Sequence, residues 1–258
     1  MKISLITACF KSAGMLRTAL DSVLEQKGVD LDYIVVDGGS DDGTVELLKE
    51  YEAKFAGRMR WISEKDQGMY DAINKGIKMA TGDVVGILNA DDMLESPETL
   101  AKIADAFADG VDAVYADIRF VKEDLQTTVR YYGAKHWRPW MFQWGKMPPH
   151  PSVYIRRELF GKLGFYKLGY DIAADYELLV RYLRMAGVKA RYLDSSLVRM
   201  RMGGKSTRGW RSNLKLNQEI VRANRENGYF CCLPMLLPKY LFKIFEFILP
   251  RLGGVSSE

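Results

Sequence analysis

Three cysteines, Cys9, Cys231 and Cys232, are too few and too odd in number to staple a chain of 258 residues. That count predicts a reducing compartment. Long apolar runs are also missing. No window of 18 uncharged apolar residues occurs, so a simple transmembrane helix is not expected. The apolar start, Met1 to Phe10, is too short for a secretory core and leads into a polar helix start; it reads as a first β-strand rather than a signal peptide. There is no Gly-x-x-x-x-Gly-Lys-Ser/Thr loop and no Gly-x-Gly-x-x-Gly after the first strand. P-loop hydrolysis and dinucleotide redox chemistry are therefore disfavoured. Internal repeats and low-complexity segments are absent.

What is present is a globular composition, 48 % apolar and 27 % charged. It excludes disorder, collagen and a small disulfide scaffold. The net charge of +4 is a difference between two unlike parts. Residues 199–258 carry 11 Lys/Arg against 4 Asp/Glu, a net of +7. Residues 1–198 carry 26 against 29, a net of −3.

The first 115 residues alternate strand and helix signals. Apolar β-prone runs lie at Ile3–Ala8, Tyr33–Val36, Met59–Ile62, Val84–Leu88 and Ala113–Tyr115. Helical spacing links Leu16, Leu20, Val23 and Leu24, then Val45, Leu47 and Leu48, then Ala72, Ile73 and Ile77, then Leu100, Ile103, Ala104 and Phe107. Such alternation predicts an α/β fold with a mostly parallel sheet covered on both faces. Two strand-like pieces follow, Ile118–Val121 and Thr127–Tyr132, then a Trp/Pro-rich stretch from Trp137 to Pro149. Beyond it come a strand at Ser152–Ile155, a helix over Ala174–Met185 and a strand at Lys189–Leu193. From Arg208 on the pattern is helical and basic. The expected organisation is one catalytic domain, residues 1–206, and a C-terminal extension, 207–258.

In an open parallel sheet, ligands bind beyond the carboxyl ends of the strands. Acids stand there. The second strand ends Val36-Asp37-Gly38-Gly39-Ser40, and the fourth ends Leu88-Asn89-Ala90-Asp91-Asp92. Asp41 and Asp42 read best as turn and cap residues. Asp37 has less need of that role, because Gly38 and Gly39 supply the turn and let a ligand approach the backbone. Adjacent carboxylates after an apolar strand repel each other and lose hydration. A hard divalent cation, Mg²⁺ or Mn²⁺, relieves that cost through oxygen ligands and substrate phosphates. The bland alternative, Asp92 as a helix cap, competes with Ser96-Pro97-Glu98, which already supply one. Asp175 precedes an apolar helix, where the N-terminus favours an anion. It is either a base or merely a cap, with Asp171 a nearby competitor. His150, in a rigid Pro-rich segment, is either a packed side chain or a metal or phosphate contact. His136 reads as surface. Arg201 and Lys205, in an Arg-x-Gly-Gly-Lys-Ser segment, fit phosphate or an exposed loop equally well. Trp137, Trp140 and Trp144 read as a hydrophobic flap or an acceptor platform.

Four strings occur in order: Ser4-Leu5-Ile6-Thr7-Ala8; Val35-Val36-Asp37-Gly38-Gly39-Ser40-Asp41-Asp42-Gly43-Thr44; Ser63 to Gly76, with Asp66-Gln67-Gly68-Met69-Tyr70-Asp71-Ala72-Ile73-Asn74-Lys75-Gly76 at its core; and Leu88-Asn89-Ala90-Asp91-Asp92. The match continues through His150-Pro151-Ser152, Ala174-Asp175-Tyr176-Glu177-Leu178 and Gly203-Gly204-Lys205-Ser206. Together they resemble the inverting family 2 glycosyltransferases of GT-A fold, in particular the bacterial branch that builds O-antigen and capsular polysaccharide. The resemblance covers about residues 1–206.

That resemblance implies roles. Thr7, Ala8 and Asp37 would line the nucleotide base pocket, usually for uracil. Asp66 and Asn74 would lie near the nucleotide or sugar. Asp91 would face the ribose, and Asp92 would hold the metal on the diphosphate. Asp175 would be the catalytic base. The family's acidic motif often reads Asp-x-Asp-Asp, and Asn89 here replaces its first acid. The implied reaction moves a hexosyl or N-acetylhexosaminyl group from a nucleotide diphosphate sugar to a hydroxyl of a lipid-linked saccharide, in the cytoplasm at the inner membrane face. The basic and aromatic tail then reads as a contact with anionic lipid, or else as a helix pair on the domain or a homodimer interface. No nucleic-acid partner is expected. The alternatives are a nucleotidyltransferase on a similar sheet and a non-catalytic lipid- or nucleic-acid-binding protein. The second leaves the paired acids unexplained, since they would repel phosphate unless a metal intervened.

Overall fold

A computed structural model describes residues 1–107, 110–202 and 210–240. Lys205 and the segment 241–258 lie outside the described residues. Strands β1 (Lys2–Cys9), β2 (Asp30–Asp37), β3 (Met59–Ser63) and β4 (Val84–Ile87) form a parallel half-sheet in the order β3-β2-β1-β4. Residues 31–37 of β2 are buried, because helices cover both faces of its apolar run. Those helices are α3 (Met69–Met79) on one face and α1 (Ala13–Leu24) and α2 (Thr44–Phe55) on the other; α4 (Thr99–Ala106) packs near β1 and β9.

The other half of the sheet is mixed. It contains β5 (Met93–Leu94), β6 (Ala113–Val121), β7 (Thr128–Tyr132), β8 (Tyr154–Arg156) and β9 (Ala190–Arg201). β8 joins the halves, antiparallel to both β4 and β6. β9 runs parallel to β6, and β5 pairs with β9 antiparallel. The two strand signals at Ala113–Tyr115 and Ile118–Val121 are thus one strand. The signal at Lys189–Leu193 is only the start of a 12-residue strand.

Two glycines set close approaches. A Cβ on Gly76 would lie 2.5 Å from Ile6 Cγ2, so glycine lets α3 pack directly on β1. A Cβ on Gly86 would lie 2.1 Å from the buried Tyr154 ring, so the junction of β4 and β8 needs glycine there. Helix α5 (Glu158–Leu163) follows β8. Helix α6 (Ala174–Leu179) continues as a π-helical segment, Val180–Met185. Helix α7 (Trp210–Glu226) packs Ile220, Val221 and Ala223 into the same core cluster as Leu178, Leu179 and Tyr182. Cys231 and Leu236 are buried in that cluster too. The residues 210–240 therefore share a core with the region that carries Asp175.

Candidate active site

Asp37 closes β2 and is fully buried. Its carboxylate accepts the N–H groups of Gly39 and Ser40 and the hydroxyls of Ser40 and Ser63. It therefore shapes the turn after β2 as well as marking its end. Asp66 follows β3 and accepts the Gly68 N–H. Its Oδ2 lies 2.7 Å from where a Gly38 Cβ would stand, so the glycine admits this carboxylate beside the β2 turn. Thr7 is buried, with its hydroxyl 3.0 Å from the Tyr33 Oη. Ala8 is partly exposed at the end of β1. Beside it Phe10, half exposed, packs against Gly38.

Asp91 and Asp92 follow β4. Asp92 is 1 % exposed, and its carboxylate accepts the Asn89 amide N–H at 2.7 Å and the Arg201 backbone N–H at 3.2 Å. Burial and the neighbouring Asp91 push its carboxyl up to about 7. The Asn89 that departs from the family motif is therefore a donor to Asp92. Strand pairing brings Arg201 to this place. β5 begins one residue after Asp92 and pairs Met93 with Arg199 and Leu94 with Val198. Glu95 then holds Arg119 and Arg199 together at the same junction. The Arg201 Nε is buried with no hydrogen-bond partner among the described residues, and the charge of Arg201 acts on Asp92.

These features fit a divalent cation, with hard oxygen donors and excess negative charge out of water. Among the described residues no group of three His, Cys, Asp or Glu side chains could hold one unaided. A cation on Asp92 would take its remaining ligands from diphosphate and water, as Mg²⁺ commonly does.

Asp175 is the second residue of α6 and is only partly exposed. Its Oδ1 accepts the Tyr176 N–H at 2.7 Å and faces the Tyr70 hydroxyl at 3.4 Å. Burial pushes its carboxyl above the ordinary aspartate value, while His150 and the two donors pull the other way. Tyr70 also donates to the Ile172 carbonyl at 2.5 Å and stacks on Tyr166. The Tyr166 hydroxyl lies 2.6 Å from His150 Nε2, and burial pushes His150 below its usual value. The structure thus groups His150 with Asp175 and Tyr166. Asn74 is buried, and its amide is spent on Tyr166. Its Nδ2 donates to the Tyr166 carbonyl at 2.8 Å, and its Oδ1 accepts the Tyr166 N–H at 3.0 Å. Asp171 is exposed and salt-bridged to Lys215.

Tyr70, Tyr166 and Phe10 join the site without an expected role. Tyr70 had a signal, since it opens the helix of the Asp-x-Gly-x-Tyr-Asp string. Tyr166 had none, because its partner Asn74 lies 92 residues away. Trp137 is a core residue, stacked edge-on with Tyr115 and Phe142, as the flap reading expects. Trp140 and Trp144 pair with each other and are exposed.

Residues 4–167 match the family model Glycosyl transferase family 2. A PGL/p-HBAD biosynthesis glycosyltransferase of Mycobacterium bovis is 33 % identical over 193 residues, 74 % of this chain and 73 % of that protein. An uncharacterized glycosyltransferase of Mycobacterium tuberculosis is 34 % identical over 181 residues, covering 69 % and 68 %. The mannosyltransferase PcManGT from Pyrobaculum calidifontis, in complex with GDP-Man and Mn²⁺, superposes with a TM-score of 0.66 at 19 % identity. That match spans 98 % of this chain and 76 % of the other. The S. aureus TarS fragment 1–349 with UDP-GlcNAc gives 0.63 at 17 % identity over 86 % and 66 %. In the crystal structure of the longer TarS, this chain spans 39 % of the length. At such identities the two structures speak to the fold, which is GT-A. The family match removes the nucleotidyltransferase and the non-catalytic alternatives. The chain belongs to glycosyl transferase family 2 and is a glycosyltransferase.

Proposed function

We propose that the enzyme transfers a sugar from a nucleotide diphosphate sugar, a UDP-sugar first among them, to an acceptor hydroxyl with inversion at the anomeric carbon. The observation that carries this reading is that two kinds of acid have two different settings, a buried pair after β4 and a single carboxylate at the start of α6. Asp91 and Asp92 follow β4, and Arg201, whose Nε has no partner among the described residues, gives Asp92 its backbone N–H, a setting for a diphosphate. Asp175 stands with a tyrosine and a histidine, a setting for a base. The relatives' complexes with UDP-GlcNAc and with GDP-Man and Mn²⁺ agree with a donor of this class.

Asp175 in its ionised form takes the acceptor proton as the hydroxyl oxygen attacks the anomeric carbon. The bond to the diphosphate oxygen breaks as the new glycosidic bond forms, through a transition state of oxocarbenium character. Arg201, and Lys205 from outside the described residues, oppose the charge that grows on the diphosphate. A bound Mn²⁺ or Mg²⁺ on Asp92 would supply Lewis-acid neutralisation of that charge. Phe10 offers an exposed aromatic face at the end of β1 on which a flat base can stack. Asp66 and Phe10 both approach Gly38 in the turn that Asp37 shapes, and in this reading Thr7 and Ala8 complete the base pocket while Asn74 acts by holding Tyr166.

The acceptor reading is a lipid-linked saccharide of a surface polysaccharide, met at the inner face of the membrane. What supports it is the apolar rim around residues 230–240. Phe230, Leu233, Leu237 and Tyr240 are exposed there, next to Trp140 and Trp144 on the neighbouring 3₁₀ turn. Among the described residues no helix is long and apolar enough to cross a membrane. Part of the basic charge on α7 is already spent, Lys215 on Asp171 and Arg222 on Glu226. Lipid contact therefore rests on the apolar rim and the segment 241–258; a second copy of the chain is the competing occupant.

The test is UDP release from UDP-glucose, UDP-galactose and UDP-N-acetylglucosamine by the full chain and by Asp175→Asn. Turnover of one sugar by the full chain and its loss in the variant are the expected results. A variant slower by only a few fold would sink the base assignment.

A further inference from the structure

Helix α7 grips the loop that delivers Asp175. Arg222 donates to the Gly169 carbonyl and lies over the Tyr170 ring, 4.4 Å from its centre. Glu226 accepts the Tyr170 hydroxyl at 3.0 Å, and Lys215 pairs with Asp171. At the centre of this grip is Glu219, 7 % exposed. Its carboxylate accepts three successive backbone N–H groups, Asp171 at 3.0 Å, Ile172 at 2.9 Å and Ala173 at 2.8 Å. These are the residues immediately before α6, whose own cap position, Ala173, has no side chain able to accept.

The contact continues to the base. The Ile172 carbonyl, on a residue whose N–H Glu219 holds, accepts the Tyr70 hydroxyl, and that hydroxyl faces Asp175 Oδ1. Further along, Asn224 donates to the Tyr176 hydroxyl and Asn227 to the Glu177 carboxylate, so α7 also holds the body of α6. A charged carboxylate on N–H groups makes stronger hydrogen bonds than neutral acceptors do. Here it fixes the loop that leads directly into α6 and Asp175.

The geometry points to Glu219 as a positioning residue for the catalytic base, acting through the 171–173 backbone and Tyr70. The inference rests on the reading of Asp175 as the base, and its test separates the two.

Glu219→Asp keeps the charge and withdraws the carboxylate by one methylene. The expected result is a kcat for UDP release lower by roughly 10–100-fold, as for a base displaced by about 1 Å, with the KM for the UDP-sugar changed by less than about twofold. A second readout needs no substrate. In a carboxyl NMR titration of the free protein, Asp175, assigned by its loss in Asp175→Asn, moves down toward the ordinary aspartate value as the loop admits water. The groups facing Asp175 are Tyr70 on α3, His150 and Tyr166, and the variant alters none of them. An unmoved titration with kcat within about twofold of wild type overturns the inference, whatever happens to the melting temperature. Should Glu219→Asp not fold, Tyr70→Phe removes the hydroxyl between Ile172 and Asp175. It should lower kcat without changing KM and move the titration up; if kcat and the titration both stay as in wild type, the inference is overturned. Full turnover by Asp175→Asn would instead sink the base assignment itself.

Discussion

Asp175 meets two opposing demands: it must be ionised to act, and its burial favours the proton. Removing it should cost about 10²–10⁴-fold in kcat, the usual contribution of a positioned base. Because its folded value lies above the unfolded one, about 3.9, the associated stability is present below that unfolded value. It is lost as pH rises through the raised folded value. Two outcomes follow from that sign. The acid limb of kcat/KM lies above the ordinary aspartate value, and Asp175→Asn melts higher than wild type at pH 7 while failing to turn over. A lower melting point for the variant would contradict this account of the burial. Asp92 behaves alike without a cation, being pushed up to about 7. A divalent cation competes with that proton, so the rise in melting temperature with Mn²⁺ should be larger at pH 8 than at pH 6. The adjacent acids were legible in the sequence, because two carboxylates after an apolar strand have few inexpensive structural uses. Asn74 was legible as a motif residue but not in its task, since a bond to a backbone 92 residues away leaves no local mark. Glu219 was invisible for a similar reason, one acid on a basic helix.

At the scale of elements, the parallel half of the sheet was readable because each strand is a buried apolar run and each helix has an apolar stripe. The mixed half was not. β5 is two residues long and carries no period, yet its pairing with β9 brings Arg201 to Asp92. The far part of β9 alternates too weakly in burial to mark a strand. The helix over Ala174–Met185 was found, but its change to π-helical turns after Leu179 was not. Glycines give the sharpest test here. In Gly86→Ala, the new Cβ would meet the Tyr154 ring, which is fully buried and has no room to swing aside. Overpacking of this kind costs about 1–3 kcal/mol and should lower the melting temperature by roughly 2–10 °C. An unchanged melting curve would mean that the β4–β8 junction is looser than described.

Across the whole molecule, the charge asymmetry of the sequence divides between two tasks. The acidic first 198 residues hold Asp37, Asp66, Asp91 and Asp92 at or after the carboxyl ends of β2, β3 and β4, and Asp175 in α6. The basic remainder spends part of its charge on ion pairs within the molecule, where α7 braces the loop before α6. The boundary expected near residue 206 thus separates composition more than packing, since α7, Cys231 and Leu236 share the core of the first part. A test of the tail should therefore cut after residue 240, which leaves that core whole. Liposome flotation on anionic vesicles should fall for residues 1–240 relative to the full chain, and equal flotation would remove the membrane reading of residues 241–258.

The central claim, a diphosphate held beside Asp91, Asp92 and Arg201, is tested most directly by the melting temperature of the full chain with UDP and Mn²⁺. UDP at about 100 times its Kd adds about 2.7 kcal/mol, or roughly 5–10 °C in a chain of this size. A shift of that order with UDP and Mn²⁺ together, and a clearly smaller one with UDP alone or with Asp92→Asn, is the predicted result. No shift with UDP and Mn²⁺ together would contradict the account.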